Sequence, residues 1–202
     1  MAGVNNKSMK WICEWVEDMM LNFPQSYDFI SRNFGYTREV RKRLFPGEIT
    51  MEDTTKTNEL IERVTNSPGS RKHHFYHEPG FEGIQDGLNV MNDSYIRPHS
   101  RSTDELIKLN TGKVASLSFD RHGNVRKKRI LTMEDQFTVI PGNTYHTIVP
   151  IQPVSSIWIR VKGPYNYKTS REDPSWAPEE GKEGAAGYYN KLKIISFNCT
   201  QY

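Results

Sequence analysis

Apolar and polar positions change their spacing near residue 70. Before that point apolar residues recur at helical intervals. Ser8 can cap a helix over residues 9–21, with Trp11, Trp15, Met19 and Met20 on its apolar stripe. Pro24 ends it, because proline disfavours helix in the residue before it. Ser26 can open a second helix that carries Tyr27, Ile30 and Phe34 on one face and stops at Gly35. Residues 39–44 are basic and ambiguous, and Pro46-Gly47 is a turn. A third helix is predicted over residues 58–64, stopped by Asn66-Ser-Pro-Gly69.

After residue 70 the period shortens to two. Runs rich in Val, Ile and aromatic residues, bounded by turn residues, predict strands at 87–91, 95–97, 105–109, 114–119, 125–131, 137–140, 147–149 and 155–161. Asp120-Arg-His-Gly123 reads as a hairpin turn, since glycine reaches positive φ without steric cost. Short strands at close spacing with no helix between them predict a sandwich or barrel. Residues 164–187, dense in proline, glycine and charge, read as a long loop packed over it, and 192–197 as a last strand returning to an edge. The division expected is a helical extension over 1–57 and a β domain over 58–202.

Composition narrows the classes. A chain of 202 residues that is 36% hydrophobic can bury a core. No apolar run is long enough to span a bilayer, and the N-terminus lacks the pattern of a signal peptide. A net charge of +3, with bases interleaved among acids, gives no nucleic-acid track; the run Arg126-Lys-Lys-Arg129 reads as a solvated strand end. Cys13 and Cys199 form neither a zinc pair nor a redox motif, and free thiols in a reducing cytoplasm are expected. Neither a membrane nor a nucleic-acid partner is expected, and a small-molecule ligand is.

The chemistry concentrates in two places. His99, Glu105 and Gly112 follow one another at spacings of six and seven, and His146 follows a Pro-Gly-Asn turn. Two imidazoles and a carboxylate on neighbouring strands can hold a divalent metal on one side and leave the other open. The order His99-x-Arg101-x3-Glu105-x6-Gly112, then Pro141-x4-His146, resembles the two motifs of the cupin superfamily. Arg101 stands where that pattern has its second histidine, and Asn143 where it has a glycine. Asparagine tolerates left-handed backbone, so the turn survives. Arginine has no lone pair to give a metal.

Further pieces narrow the resemblance. Ser67-Pro68 with Arg71 and His77, then Tyr95-Ile-Arg-Pro-His99, Phe119-Asp-x-x-Gly123, Lys162-Gly-Pro-Tyr165 and Trp176-Ala-Pro-Glu-Glu180 occur in that order. Together they are similar to the WbuC-type cupin-fold metalloproteins, small bacterial proteins some of which are encoded among surface-polysaccharide genes. The likeness covers residues 58–181 and implies a cupin-type double-stranded β-helix, a jelly roll, behind the N-terminal helices. It implies metal ligation by His99, Glu105 and His146, with His77 as a fourth ligand, and a homodimer paired through edge strands. The two-histidine, one-carboxylate set favours Fe(II), with Zn, Mn, Ni or Co as alternatives.

Arg101 suits either the carboxylate or phosphate of a substrate or a rim salt bridge to Asp104 or Glu105. Tyr145, with Tyr95 and Trp158, is a candidate for the cavity wall or for plain core. His73 and His74 read as polar strand residues, and Trp176 and Pro178 as the fold of a loop against the β domain. Three functions follow as expectations: a metal-dependent enzyme on a small polar or anionic metabolite, a non-catalytic module holding a sugar or similar metabolite, and a metal-free sugar-nucleotide epimerase or isomerase.

Overall fold

The computed structural model describes residues 51–76, 84–162, 164 and 170–198. The helices expected at 9–21 and 26–34, both cysteines and His77 lie outside the described residues. Residues 56–202 form one compact unit.

Among the described residues, helix α1 (Met51–Thr65) is followed by ten strands: β1 (Arg71–Phe75), β2 (Ile84–Asn92), β3 (Ser100–Arg101), β4 (Glu105–Thr111), β5 (Val114–Phe119), β6 (Val125–Leu131), β7 (Phe137–Ile140), β8 (Tyr145–Pro150), β9 (Val154–Lys162) and β10 (Arg171–Glu172). Helix α2 (Ala185–Phe197) follows. One sheet runs β1-β2-β9-β4-β7 and another β6-β5-β8, all antiparallel. β3 pairs with β10, and the residue before β3, His99, bridges to His146 of β8. Strands that alternate between two sheets in this order make a double-stranded β-helix of the cupin type.

The alternation of side chains decides what each face meets. Met91, Ile107, Leu109, Val114, Leu131, Ile140, Ile148 and Ile157 come from both sheets and form one buried cluster, so the main core lies between them. The opposite parity of β5 and β8 (Ala115, Leu117, Phe119 and Val149) packs on Tyr189 and Leu192 of α2. Leu88 and Val90 of β2 likewise pack on Leu60 and Val64 of α1. β5 is covered on both sides, which explains its almost continuous burial.

Most strands fall where the alternation puts them; β5, β6 and β7 match the predicted limits, and the helix expected at 58–64 lies inside α1. Three readings are corrected. Residues 192–197 are the last turns of α2 and form no strand. The segment read as one long loop over 164–187 contains β10 and the start of α2. Residues 95–97 are in no strand. Their backbone groups are satisfied by side chains: Arg71 donates to the Tyr95 carbonyl at 2.9 Å, Thr147 to the Ile96 carbonyl at 2.6 Å, and the Arg97 N–H donates to Glu180 at 3.0 Å. Extended backbone met in this way needs no ladder.

Gly112 shows why the first motif ends on glycine. It sits at φ +85°, and a Cβ there would overlap Ser155 Oγ and lie 2.7 Å from the Val154 carbonyl oxygen. Gly112→Ala is expected to cost about 2–3 kcal/mol, from left-handed strain plus overpacking. Urea unfolding of the two proteins measures this, and a loss under about 0.5 kcal/mol would contradict it.

Candidate metal centre

His99 and His146 face each other as a hydrogen-bonded antiparallel pair. The His99 N–H donates to the His146 carbonyl at 3.0 Å, and the His146 N–H to the His99 carbonyl at 2.8 Å. That pairing sends both rings to the same side, with centroids 4.6 Å apart. The turn before β8 is locked onto the β3–β4 connection. Asp104 accepts from the Gly142 N–H at 2.7 Å, and the Asn143 N–H donates to the Arg101 carbonyl at 2.6 Å. Gly142 lies so close to Ser102 that a Cβ would come 2.8 Å from its carbonyl oxygen, and Asn143 takes the left-handed conformation at φ 60°. The motif position with asparagine for glycine thus keeps its turn.

Glu105 opens β4 on the inner face, between Val161 and Ile140. Its Oε1 lies 3.6 Å from His146 Nε2, too far for a hydrogen bond. Ligand atoms of His99, Glu105 and His146 all lie within 4.8 Å of one another, and the three side chains are buried. Among the described residues no other cluster of this kind occurs.

The hydrogen bonds of the two rings fix which atoms meet. His99 Nδ1 is 3.0 Å from the Arg97 carbonyl and His146 Nδ1 is 2.9 Å from that of Thr144. A carbonyl only accepts, so each Nδ1 carries the hydrogen, and a neutral ring then presents a lone pair at Nε2. Burial, helped by His146 and the Arg171 charge, holds His99 well below its usual pKa and therefore neutral. Burial pushes the Glu105 carboxyl up, but Arg101 and the two histidines outweigh it and hold the group well below the usual carboxylate range. Neither Nε2 has a hydrogen-bond partner among the described residues, although both are buried. Two lone pairs and a carboxylate oxygen converging away from water are costly unless a cation joins them. These residues fit a divalent metal ion, with the Nδ1 bonds orienting the ligands as in known metal sites.

Arg101 makes an ion pair through Nε with Glu105 Oε2, leaving Oε1 as the oxygen nearest His146. The salt bridge expected of Arg101 is made to Glu105, and Asp104 accepts from the Gly142 N–H of the Pro141 turn instead. Tyr145 is placed elsewhere. It precedes His146 on β8 and so points to the outer face, where its ring meets Trp176 edge-on at 5.9 Å. Its hydroxyl donates to Glu172, which, with some burial, pushes its pKa up to about 12. The structure does not bring Tyr145 to the His99–Glu105–His146 centre. His73 accepts from Arg71 Nε at 3.0 Å and stands outside the cluster.

Arg171 is the residue that sequence reading missed. β10 sets it opposite Arg101 on β3, and its charge reaches His99. A strand of two residues within a segment of loop composition carries no periodic signal. The segment after it forms a strap. Arg97 donates to the carbonyls of Ala177 at 3.0 Å and Pro174 at 3.1 Å, Glu180 accepts from Arg71 at 2.8 Å, and the Trp176 ring lies against Gly123. Trp176 and Pro178 therefore do fold a loop against the β domain, as expected.

A family model described as a domain of unknown function (DUF6016) matches residues 53–131. No curated protein sequence matches the chain. Similar solved structures include a Shewanella oneidensis protein at 11% identity and TM-score 0.48, covering 69% of this chain and 93% of that one. A cupin superfamily protein from Desulfitobacterium hafniense is similar at 13% identity and TM-score 0.42, covering 52% and 88%. The DMSP lyase DddQ from Ruegeria pomeroyi is similar at 13% and 0.43, covering 55% and 54%. The chain's own strand order and inward-facing ligands define its class: a cupin-type jelly roll with a two-histidine, one-carboxylate centre able to bind a metal. No helix among the described residues is long and apolar enough to cross a membrane.

Proposed function

We propose that this chain is a metal-dependent cupin enzyme of the WbuC type, acting on a small anionic metabolite, with Fe(II) as the favoured ion. The observation that carries this reading is the pair of buried Nε2 atoms on His99 and His146, without a hydrogen-bond partner among the described residues and gathered with a Glu105 oxygen within 4.8 Å of one another. A divalent ion bound there supplies Lewis-acid polarisation of a coordinated oxygen, or redox chemistry if it is iron. The protein's part follows from its own groups. His99 and His146 are held in one tautomer by the carbonyls of Arg97 and Thr144. Glu105 is a ligand and no general base, because it stays ionised beside Arg101. With three protein ligands, a six-coordinate ion would keep about half of its coordination positions for substrate and water.

The test is metal analysis of the full chain purified without added metal, then loaded anaerobically with Fe(II). About one equivalent is expected, lost on His99→Ala, Glu105→Ala or His146→Ala. Below about a tenth of an equivalent before and after loading, the enzyme reading falls. The Arg101–Glu105 ion pair favours one second reading, a metal-free cupin that only holds a metabolite. Under that reading His146→Ala leaves ligand affinity nearly intact.

A further inference from the structure

Side chains of the stretch Tyr95-Ile96-Arg97 go alternately to the strap and to the core. The Tyr95 hydroxyl donates to the Pro178 carbonyl at 2.9 Å, and Arg97 also reaches the strap, whereas Ile96 is buried in the main cluster. Pro98 follows, and proline keeps the residue before it out of the helical region. Arg97 is thus held extended by its own sequence before any partner binds it.

Arg97 is engaged through its N–H, its carbonyl and all three guanidinium nitrogens. Nε donates to the Ala177 carbonyl at 3.0 Å, Nη2 to the Pro174 carbonyl at 3.1 Å, and Nη1 pairs with Asp173 at 3.5 Å. The N–H donates to Glu180 at 3.0 Å. Those four acceptors all belong to the strap. The carbonyl of the same residue accepts from His99 Nδ1 at 3.0 Å. One residue therefore stands between the strap and a side chain that could hold the ion. His146 offers the comparison. Its Nδ1 donates to the Thr144 carbonyl at 2.9 Å, in the turn held by Asp104 and by the Arg101 carbonyl. The two rings are steadied from different parts of the chain.

A neutral ring that loses its Nδ1 acceptor can turn, or can carry its hydrogen on Nε2, and Nε2 then has no lone pair for an ion. We infer that Arg97 is a positioning residue that couples the strap to the metal centre. The docked strap fixes the Arg97 backbone, the Arg97 carbonyl fixes His99, and His99 then presents Nε2. The inference rests on the metal reading above. Such coupling is reciprocal, so an ion that needs His99 in this orientation also holds the strap down.

The experiment uses the full chain with the variants Arg97→Met and Arg97→Lys. Nitrogen NMR of the metal-free proteins reads the tautomer of each ring. Co(II) titration, followed by its visible spectrum, reads affinity, and hydrogen exchange with and without Co(II) reads the opening of residues 173–184. In wild type both rings should carry the hydrogen on Nδ1. In Arg97→Met, His99 should become a mixture of tautomers while His146 stays as it was. Partners behind metal ligands set affinity by about 10–100-fold, and here the carbonyl is loosened rather than removed, so a fall of about tenfold is expected. Arg97→Lys keeps the charge beside Asp173 without the fork, so it should fall between, and it carries the comparison if the methionine variant fails to fold. Co(II) should slow exchange of the strap in wild type, and less so in Arg97→Met. Where cobalt binds, tautomer and affinity must change together. A His99 that keeps one tautomer in both variants, or an affinity that stays within about threefold of wild type, overturns the inference. Equal disturbance of both rings also overturns it, because that marks general loosening. The two readings fail separately. A wild type that takes up no cobalt defeats the metal reading alone, since the tautomers are compared without metal. Full cobalt with His99 unmoved defeats the coupling alone.

Discussion

Arg101→Met lowers the unfolding free energy of the metal-free protein by about 3–5 kcal/mol, the cost of leaving a buried carboxylate without its partner. Glu105 is 3% exposed and its Oε2 is paired with Arg101. Methionine fills similar volume, so cavity formation adds little and the loss reports charge. The sign of the effect on metal is opposite. A guanidinium beside a divalent ion repels it, so its removal should tighten metal binding. The destabilisation therefore shrinks when metal is in excess, because the ion takes over the neutralisation of Glu105. Urea denaturation with chelator and with Co(II) measures both halves. Equal losses in the two conditions would show that Arg101 and the metal do not share Glu105.

Metal loading itself should stabilise the protein. An ion that binds only the folded state, at a free concentration a thousand times its dissociation constant, contributes about 4 kcal/mol. For a folded unit of this size that raises the melting temperature by about 8–16 °C. The gain should vanish in His146→Ala and His99→Ala. Each variant is compared with itself in chelator, so any packing loss at these buried rings (2% and 6% exposed) cancels. A wild-type protein that melts at the same temperature with and without metal would remove the centre's role in holding the sheets together.

The convergence of His99, Glu105 and His146 was legible because these residues sit in or beside turns with rigid requirements. Gly112 cannot carry a side chain, Gly142 has no room for one, and Asn143 must be left-handed, so the spacing of His99, Glu105 and His146 is tied to backbone geometry. The strands between were legible from alternation, as in β5, where Val114 turns inward while Ala115, Leu117 and Phe119 turn to α2. The helix α2 was not. Leu192, Ile194, Ile195 and Phe197 make a short apolar run that strand and helix share, and the glycines at 184 and 187 argue against helix. Its buried positions, Ala185, Tyr189, Leu192 and Ser196, follow helical spacing but include an alanine and a serine, which dilutes the stripe. Ile194 and Phe197 stay exposed. Tyr145 shows a different limit. It was a candidate for the cavity wall or for plain core, yet neighbours on a strand face opposite ways, so with His146 turned inward Tyr145 meets Trp176 instead. Arg171 had no local pattern at all, because its position is set by Arg101, seventy residues earlier in the chain.

The three side chains that could hold a metal lie between residues 99 and 146, whereas β10 and the strap fixed by Arg97 and Arg71 come afterwards. The candidate donors and the strap beside them thus belong to separate stretches of polypeptide. A protease nick ahead of β10 would leave the candidate donor atoms on one fragment and the strap on the other, so either can be lost, or can diverge between relatives, without the other.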